Sequence, residues 1–172
     1  MMDKTTDKKQ DEKDHCKEKE KDASEEYAKL KAKYSLPELN ELDKEFSLGT
    51  IDCSTFLLRT ILDGINGRIE LALKILGNLI QPESHIADMH EAEAFSDEEK
   101  KKMYELFQRM SGYNKEFIIR DFDYSDDSAA VLINKFYKDW KIIKQDFLRV
   151  LSKMKESWSS NNLAKEEFGY FG

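Results

Sequence analysis

The sequence contains few of the residues that build β-sheets and disulfide frameworks. Of its 172 residues only two are valine, two are cysteine and two are proline. Strands favour β-branched residues and an alternation of apolar and polar positions, and no long run here alternates, so we expect essentially no sheet. Cys16 and Cys53 are not spaced as a Cys-x-x-Cys pair. They fit a reducing compartment, which favours the cytoplasm or the nucleus.

Long apolar runs and an excess of basic charge are absent as well. No apolar stretch approaches the roughly 18 residues that a membrane span requires, and the first residues lack the apolar core of a secretory signal. The formal net charge of −7 disfavours binding to the phosphates of nucleic acids and to anionic lipid surfaces. No P-loop, dinucleotide-binding or Gly-x-Ser-x-Gly motif occurs. We therefore expect no membrane association, no cofactor and no enzymatic activity.

What the sequence does contain is apolar residues at heptad spacing. One series predicts a helix from about residue 128 to 158, with a stripe formed by Ile133, Phe136, Trp140, Ile143, Phe147, Val150 and Met154. A second series predicts a central helix over about 52–80, with a stripe formed by Ile51, Leu58, Ile65, Ala72 and Leu79 and widened by Leu57 and Leu71. Stripes of this width need partner helices.

Capping residues delimit the other helices. Ser96 followed by Glu99 has the spacing of a capping box and predicts a third long helix, over about 97–122. Nearer the start of the chain, Ser35-Leu36-Pro37-Glu38 predicts a helix stop and restart, with Ser35 as the N-cap and Pro37 in the first turn. The pattern predicts an all-α, antiparallel helical bundle with three long helices and a Pro-broken N-terminal helical segment. We expect the bundle over 25–158, between a disordered charged tail (1–24) and a flexible tail (159–172).

Two glycines interrupt the central helix, in the sequence Asp63-Gly64-Ile65-Asn66-Gly67. Each costs a helix on the order of 1 kcal/mol relative to alanine. Three interpretations are open. The glycines allow a close helix approach, which we favour, or they break the helix, or they form a Gly-x-x-Gly loop as in KH RNA-binding domains.

Few residues are candidates for chemistry. The aromatic residues of the last helix (Phe136, Tyr137, Trp140, Phe147 and Trp158) could line a ligand pocket, but their helical spacing is more typical of core packing. His85 and His90 lie among acidic residues, yet a five-residue spacing places them poorly for one metal ion, and we expect a solvated linker. Cys53, near a helix start, has no histidine nearby in sequence to act as its base.

Two surfaces are candidates for binding. Phe168, Tyr170 and Phe171 are bulky aromatics close to glycines, and they would either anchor in a partner protein or fold back over the bundle. Lys135, Lys138, Lys141 and Arg149 give the last helix basic residues that would pair with acids or grip RNA. We predict a non-catalytic protein-interaction or accessory module, able to form homo-oligomers. The alternative is an RNA-associated factor that uses the basic residues.

Overall fold

The computed structural model describes residues 23–48, 56–82 and 85–159, and in these ranges the chain forms six helices and no strand. Residues 23–34 are helical and are called α1 here. The other helices are α2 (Leu39–Phe46), α3 (Leu57–Ile80), α4 (Ile86–Glu93), α5 (Asp97–Phe122) and α6 (Asp126–Ser159). The prediction of an all-α bundle with three long helices and a Pro-broken N-terminal segment is therefore confirmed. None of the helices in the described ranges has the length and the low charge content of a membrane span.

The chain divides into two compact units, and α3, α5 and α6 each contribute to both. The first unit comprises Met1–Arg68 and Lys115–Lys138, and the second comprises Ile69–Asn114 and Asp139–Gly172. Residues 1–22 and 160–172, which make up nearly all of the two predicted tails, lie outside the described residues. The predicted tails and domain bounds stay predictions.

An aromatic cluster joins three helices in the first unit. Phe136 of α6 lies 5.9 Å from Phe46 of α2 and 5.6 Å from Phe117 of α5, measured between ring centroids. The Phe117 and Phe136 planes meet at 81°, the edge-to-face geometry that aromatic pairs favour. Phe136 and its stripe neighbour Ile133 are completely buried, so the apolar stripe of α6 is fully covered in this unit.

The break between α1 and α2 differs from its predicted form. Ser35 does not cap α2: its φ of 54° places it in the left-handed region, where it ends α1. The N-cap of α2 is Glu38, which makes no side-chain capping hydrogen bond and instead pairs with Lys31. Pro37 precedes this cap, and its carbonyl oxygen accepts a hydrogen bond from the Tyr27 hydroxyl at 2.7 Å. Tertiary contacts, rather than a local capping box, therefore set this turn.

In the second unit the same stripe of α6 is only partly covered. Ile143 and Val150 are buried, whereas Trp140, Phe147 and Met154 remain partly exposed. Buried residues of α3 and α5 supply the rest of this core: Ala72, Leu76, Leu79, Met103, Leu106 and Met110. Leu71, which was predicted to widen the α3 stripe, is instead 51% exposed.

Ion pairs show that α5 and α6 run antiparallel in the second unit. Asp139 of α6 lies 3.2 Å from Arg109 and accepts a hydrogen bond from the Tyr113 hydroxyl at 2.6 Å. Fourteen residues later on α6, Lys153 pairs with Glu99, which precedes Arg109 on α5. The partners on α5 therefore move backwards as α6 moves forwards.

Gly64 and Gly67 do not break α3, which is helical without interruption from Leu57 to Ile80. The helix-break and Gly-x-x-Gly loop interpretations are therefore wrong. A Cβ atom built on Gly64 would lie 2.5 Å from Cδ2 of Leu48, in the segment after α2, whereas a Cβ on Gly67 would meet nothing within 4 Å. Gly64 thus permits the close approach of Leu48, and Gly67 has no such packing reason.

The two glycines should respond differently to substitution by alanine. Gly67→Ala should raise the free energy of unfolding by about 0.5–1 kcal/mol, because alanine loses less backbone entropy in a helix and touches nothing here. At this chain length that corresponds to a rise in Tm of about 1–4 °C. Gly64→Ala should stabilise less, since the Leu48 side chain must move. Thermal melts of both variants test this, and equal gains would contradict the role given to Leu48.

Candidate functional site

A groove lies between α5 and α6 in the second unit. Its floor consists of the apolar residues Phe95, Met103, Leu106 and Val150, and its rim of the charged residues Glu99, Lys102, Asp146, Arg149 and Lys153. We call this set the α5–α6 groove. It encloses about 290 Å³, and both of its walls belong to the second unit.

Local sequence places one wall of the groove at the start of α5. The Ser96 amide donates to Oε2 of Glu99 at 2.8 Å, and the Glu99 amide lies 3.4 Å from the Ser96 hydroxyl oxygen. This reciprocal pair is the predicted capping box, which is confirmed. It starts the helix directly after Phe95 and thereby turns the Phe95 ring to the floor, where Met103 and Leu106 follow at helical spacing.

The other wall is the second half of α6. Asp146, Arg149, Val150 and Lys153 are three or four residues apart and so share one helix face. Val150 belongs to the apolar stripe and reaches the floor, while the three charged residues stand around it. On this face of α6 one apolar position of the stripe lies among charged positions. The wall therefore adds an apolar residue to the floor and charged residues to the rim.

Lys153 links the two walls of the groove. Its Nζ lies 2.5 Å from each carboxylate oxygen of Glu99 and 5.3 Å from the centroid of the Phe95 ring. The hydrogen bond from Lys153, and then those from Ser96, lower the pKa of Glu99 to about 2. Glu99 is therefore ionised throughout the physiological range, and it holds Lys153 over the ring.

The remaining rim charges are oriented towards solvent. Arg149 lies 2.7 Å from Asp146, and Lys102 lies 3.5 Å from Glu98. The side chains of Arg149 and Lys102 are 77% and 72% exposed, so these contacts leave both cations accessible. The rim carries three cations against two carboxylates, a net charge of about +1 in a protein whose total is −7. The groove can therefore take an apolar side chain flanked by negative charge.

A smaller cavity lies in the first unit and was not anticipated from the sequence. Arg59, Asp63, Asn66, Asp121 and Tyr124 are among the residues that line it. Arg59 pairs with Asp121, while burial and, after it, the charge of Asp121 raise the pKa of Asp63. The cavity measures about 90 Å³, which is space for a few water molecules rather than for an organic substrate. No local sequence pattern indicates this cluster, because Arg59 and Asp121 are 62 positions apart.

Of the residues predicted as binding sites, the basic residues of the last helix lie in the described ranges. Phe168, Tyr170 and Phe171 lie outside the described residues. Their predicted role stays a prediction. Among the basic residues, Lys135 bonds both Glu116 carboxylate oxygens at 2.7 and 2.8 Å, and Lys138 and Lys141 are exposed. Arg149 alone lines the α5–α6 groove.

The two histidines that were considered as metal ligands have separate environments. His85 is the N-cap residue of α4, whereas the His90 ring lies 4.6 Å from that of Trp158, and His90 Nε2 lies 3.3 Å from the Ser157 carbonyl oxygen. Trp158 donates to Glu91 at 2.6 Å, which fastens the end of α6 to α4. Across the described ranges no three His, Cys, Asp or Glu residues are placed to hold a metal ion. Cys53 lies outside those ranges.

The aromatic residues of α6 pack against neighbouring helices. Phe136 lies between Phe46 and Phe117, and the Tyr137 hydroxyl donates to Glu41 of α2 at 2.9 Å. Trp158 contacts α4 through Glu91 and His90. Phe147 is partly exposed and Trp158 is 54% exposed, so the expectation that all of these aromatics serve packing stays a prediction.

Replacing Glu99 should destabilise the protein in a pH-dependent way. Glu99→Gln keeps the capping-box spacing but loses the ion pair with Lys153, so its Tm should fall below that of the native chain at pH 7. The folded pKa of Glu99 is about 2 against an ordinary value of 4.5, so its stabilisation is full above about pH 4.5 and disappears as the pH falls towards 2. The difference in Tm between the two proteins should shrink across that window.

Glu98→Gln is the matched control, because it removes the same charge at the neighbouring position. Glu98 makes only an exposed contact with Lys102. Its Tm should stay close to the native value at every pH. Thermal melts between pH 2 and 7 measure both differences. Equal losses for the two variants, or a loss in Glu99→Gln that is independent of pH, would contradict the role of the Glu99–Lys153 pair.

No protein-family model matches this chain, no curated protein matches its sequence, and no solved structure matches its fold.

Proposed function

We propose that this protein is a non-catalytic protein-interaction module whose α5–α6 groove binds a peptide segment of a partner protein. The segment would carry an aromatic or large aliphatic anchor next to acidic residues. The observation that supports this is the combination of an apolar floor with two exposed rim cations, Lys102 and Arg149. Anchors of this kind, seated in an apolar pocket and ringed by polar contacts, carry most of the energy in many protein interfaces.

The size and chemistry of the groove favour a peptide over a small substrate. Its 290 Å³ lie at the lower limit of small-molecule sites, which typically measure roughly 300–1,000 Å³. Both rim carboxylates are engaged, Glu99 with Lys153 and Asp146 with Arg149. A general acid or base works best with a pKa near the operating pH, and that of Glu99 lies far below it. The groove is thus better suited to recognition than to proton transfer.

The alternative, an RNA-associated factor, has less support. Lys135 bonds both carboxylate oxygens of Glu116, so one of the four basic residues is already engaged. The net charge of −7 adds a repulsive term for phosphate backbones. Tight RNA binding that weakens steeply with salt would favour this alternative over a peptide-binding groove. The two cysteines keep the proposal consistent with a module that works in the cytoplasm or the nucleus.

Selection from a displayed library of random peptides tests the proposed function. The native chain should enrich peptides in which an aromatic or large aliphatic residue lies beside Asp or Glu. Reversing two rim charges in Lys102→Glu/Arg149→Glu should weaken the selected peptides by about tenfold or more, because two attractive contacts become repulsive. The measurement is the Kd of each selected peptide for each chain.

The matched control is Lys138→Glu/Lys141→Glu, which changes the net charge equally at two exposed positions outside the groove. It should retain peptide affinity within about twofold, because exposed charges at a distance are largely screened. Melting curves should show that both double variants stay folded. Failure to enrich any sequence family, or equal weakening by the two double variants, would refute the groove as the binding site.

A further inference from the structure

The apolar stripe is only partly buried in the second half of α6. Trp140, Phe147 and Met154 of α6 remain partly exposed, and the second half of α6 also forms one wall of the α5–α6 groove. Residues 160–164 follow α6, and the sequence then continues as Lys165-Glu166-Glu167-Phe168-Gly169-Tyr170-Phe171. This stretch has the chemistry that the groove fits, namely aromatic anchors directly preceded by two acids.

We propose that residues 166–171 of the same chain occupy the α5–α6 groove, with one of the aromatic rings on the floor and Glu166 and Glu167 near Lys102 and Arg149. The inference rests on the proposed function in that it uses the same groove. It goes further by naming an intramolecular occupant, which a partner peptide would have to displace.

Charge supports this pairing. Phe95, Met103, Leu106 and Val150 form a floor without charge, while the rim carries a net charge of about +1. The stretch from Lys165 to Phe171 carries two acids and one base, a net charge of −1. Lys102 and Arg149 are the most exposed of the three rim cations. An acidic segment could reach them without disturbing the Glu99–Lys153 pair.

Geometry also supports it, because the point where the chain leaves α6 is held close to the groove. Trp158 bonds Glu91 of α4, and the groove residue Phe95 follows α4 by two residues. From Lys153 to Ser159 the helix advances about 9 Å at 1.5 Å per residue. The nine residues from Ser159 to Phe168 span up to about 30 Å when extended, so the chain has enough length to turn back and reach the floor.

Tethering makes a modest affinity sufficient. A short flexible connection gives an effective concentration in the millimolar range, so a segment with an intrinsic Kd of about 100 µM would occupy the groove about nine-tenths of the time. A free peptide of the same sequence would then bind the native chain about tenfold more weakly than a chain whose own segment cannot compete.

The test uses full-length chains and a fluorescein-labelled peptide of residues 163–172, with binding followed by fluorescence anisotropy. The acceptor is Phe168→Ser/Tyr170→Ser/Phe171→Ser, which leaves the described helices unaltered; circular dichroism melts establish that it is folded. We expect this acceptor to bind the peptide and the native chain to bind it about tenfold more weakly. Adding Lys102→Glu/Arg149→Glu to the acceptor should abolish the binding, whereas adding Lys138→Glu/Lys141→Glu should leave it within about twofold.

Three results would overturn the inference. The acceptor does not bind the peptide, or the native chain binds it as tightly as the acceptor does, or the native chain sediments as a dimer and the acceptor as a monomer, which would make a second copy the occupant. The proposed function is tested separately by the library-selected peptides. If those peptides bind the groove and the peptide of residues 163–172 does not, only this inference fails; if neither binds, both fail.

Discussion

The structure depends on removing the apolar stripe of α6 from water. A fully buried Phe, Ile or Val side chain contributes about 1.5–3 kcal/mol relative to an exposed one, and the stripe supplies such residues to the cores of both units. In the first unit the aromatic cluster of Phe46, Phe117 and Phe136 completes the burial. In the second unit Trp140, Phe147 and Met154 of the stripe stay partly exposed. Of the stripe residues, the buried Val150 lines the α5–α6 groove.

Ion pairs set the positions of the charged side chains at the rim of the α5–α6 groove. Lys153 is drawn to Glu99 and lies over Phe95, so it stays at the edge of the floor instead of extending into solvent. Arg149 and Lys102 have weaker, exposed contacts and remain accessible to an incoming acid. The Glu99–Lys153 pair thus fixes the position of Lys153. The exposed pairs of Arg149 and Lys102 leave a net positive charge at the rim.

Sequence reasoning succeeded where the determining interactions are local. The capping box of Ser96 and Glu99 spans three residues, and heptad periodicity requires only the helix itself. It failed at Ser35, whose left-handed conformation accompanies long-range contacts such as the bond from Asn134 of α6 to the Tyr34 carbonyl oxygen at 3.0 Å. For Gly64 it offered three interpretations, and only the position of Leu48 decides between them.

The candidate site was predictable only in pieces. Glu99 was identified as a capping residue and Arg149 as part of a basic face, but nothing in the sequence joined them to Phe95 and Val150. Phe95 and Glu99 lie at the start of α5, and Arg149 and Val150 lie on α6, 50 to 55 positions later. Their meeting depends on the axial alignment of α5 with α6, which periodicity alone leaves undetermined because neighbouring heptads look alike.

That alignment has a mechanical consequence. Two separate ion pairs join α5 to α6, namely Arg109–Asp139 and Glu99–Lys153. A slide by one helical turn, about 5.4 Å, would open both at once. Such a slide is one of the ways in which packed helices transmit signals. Between α5 and α6 it would cost the free energy of both ion pairs. The two walls of the α5–α6 groove are therefore held in one axial register, and its shape should stay fixed.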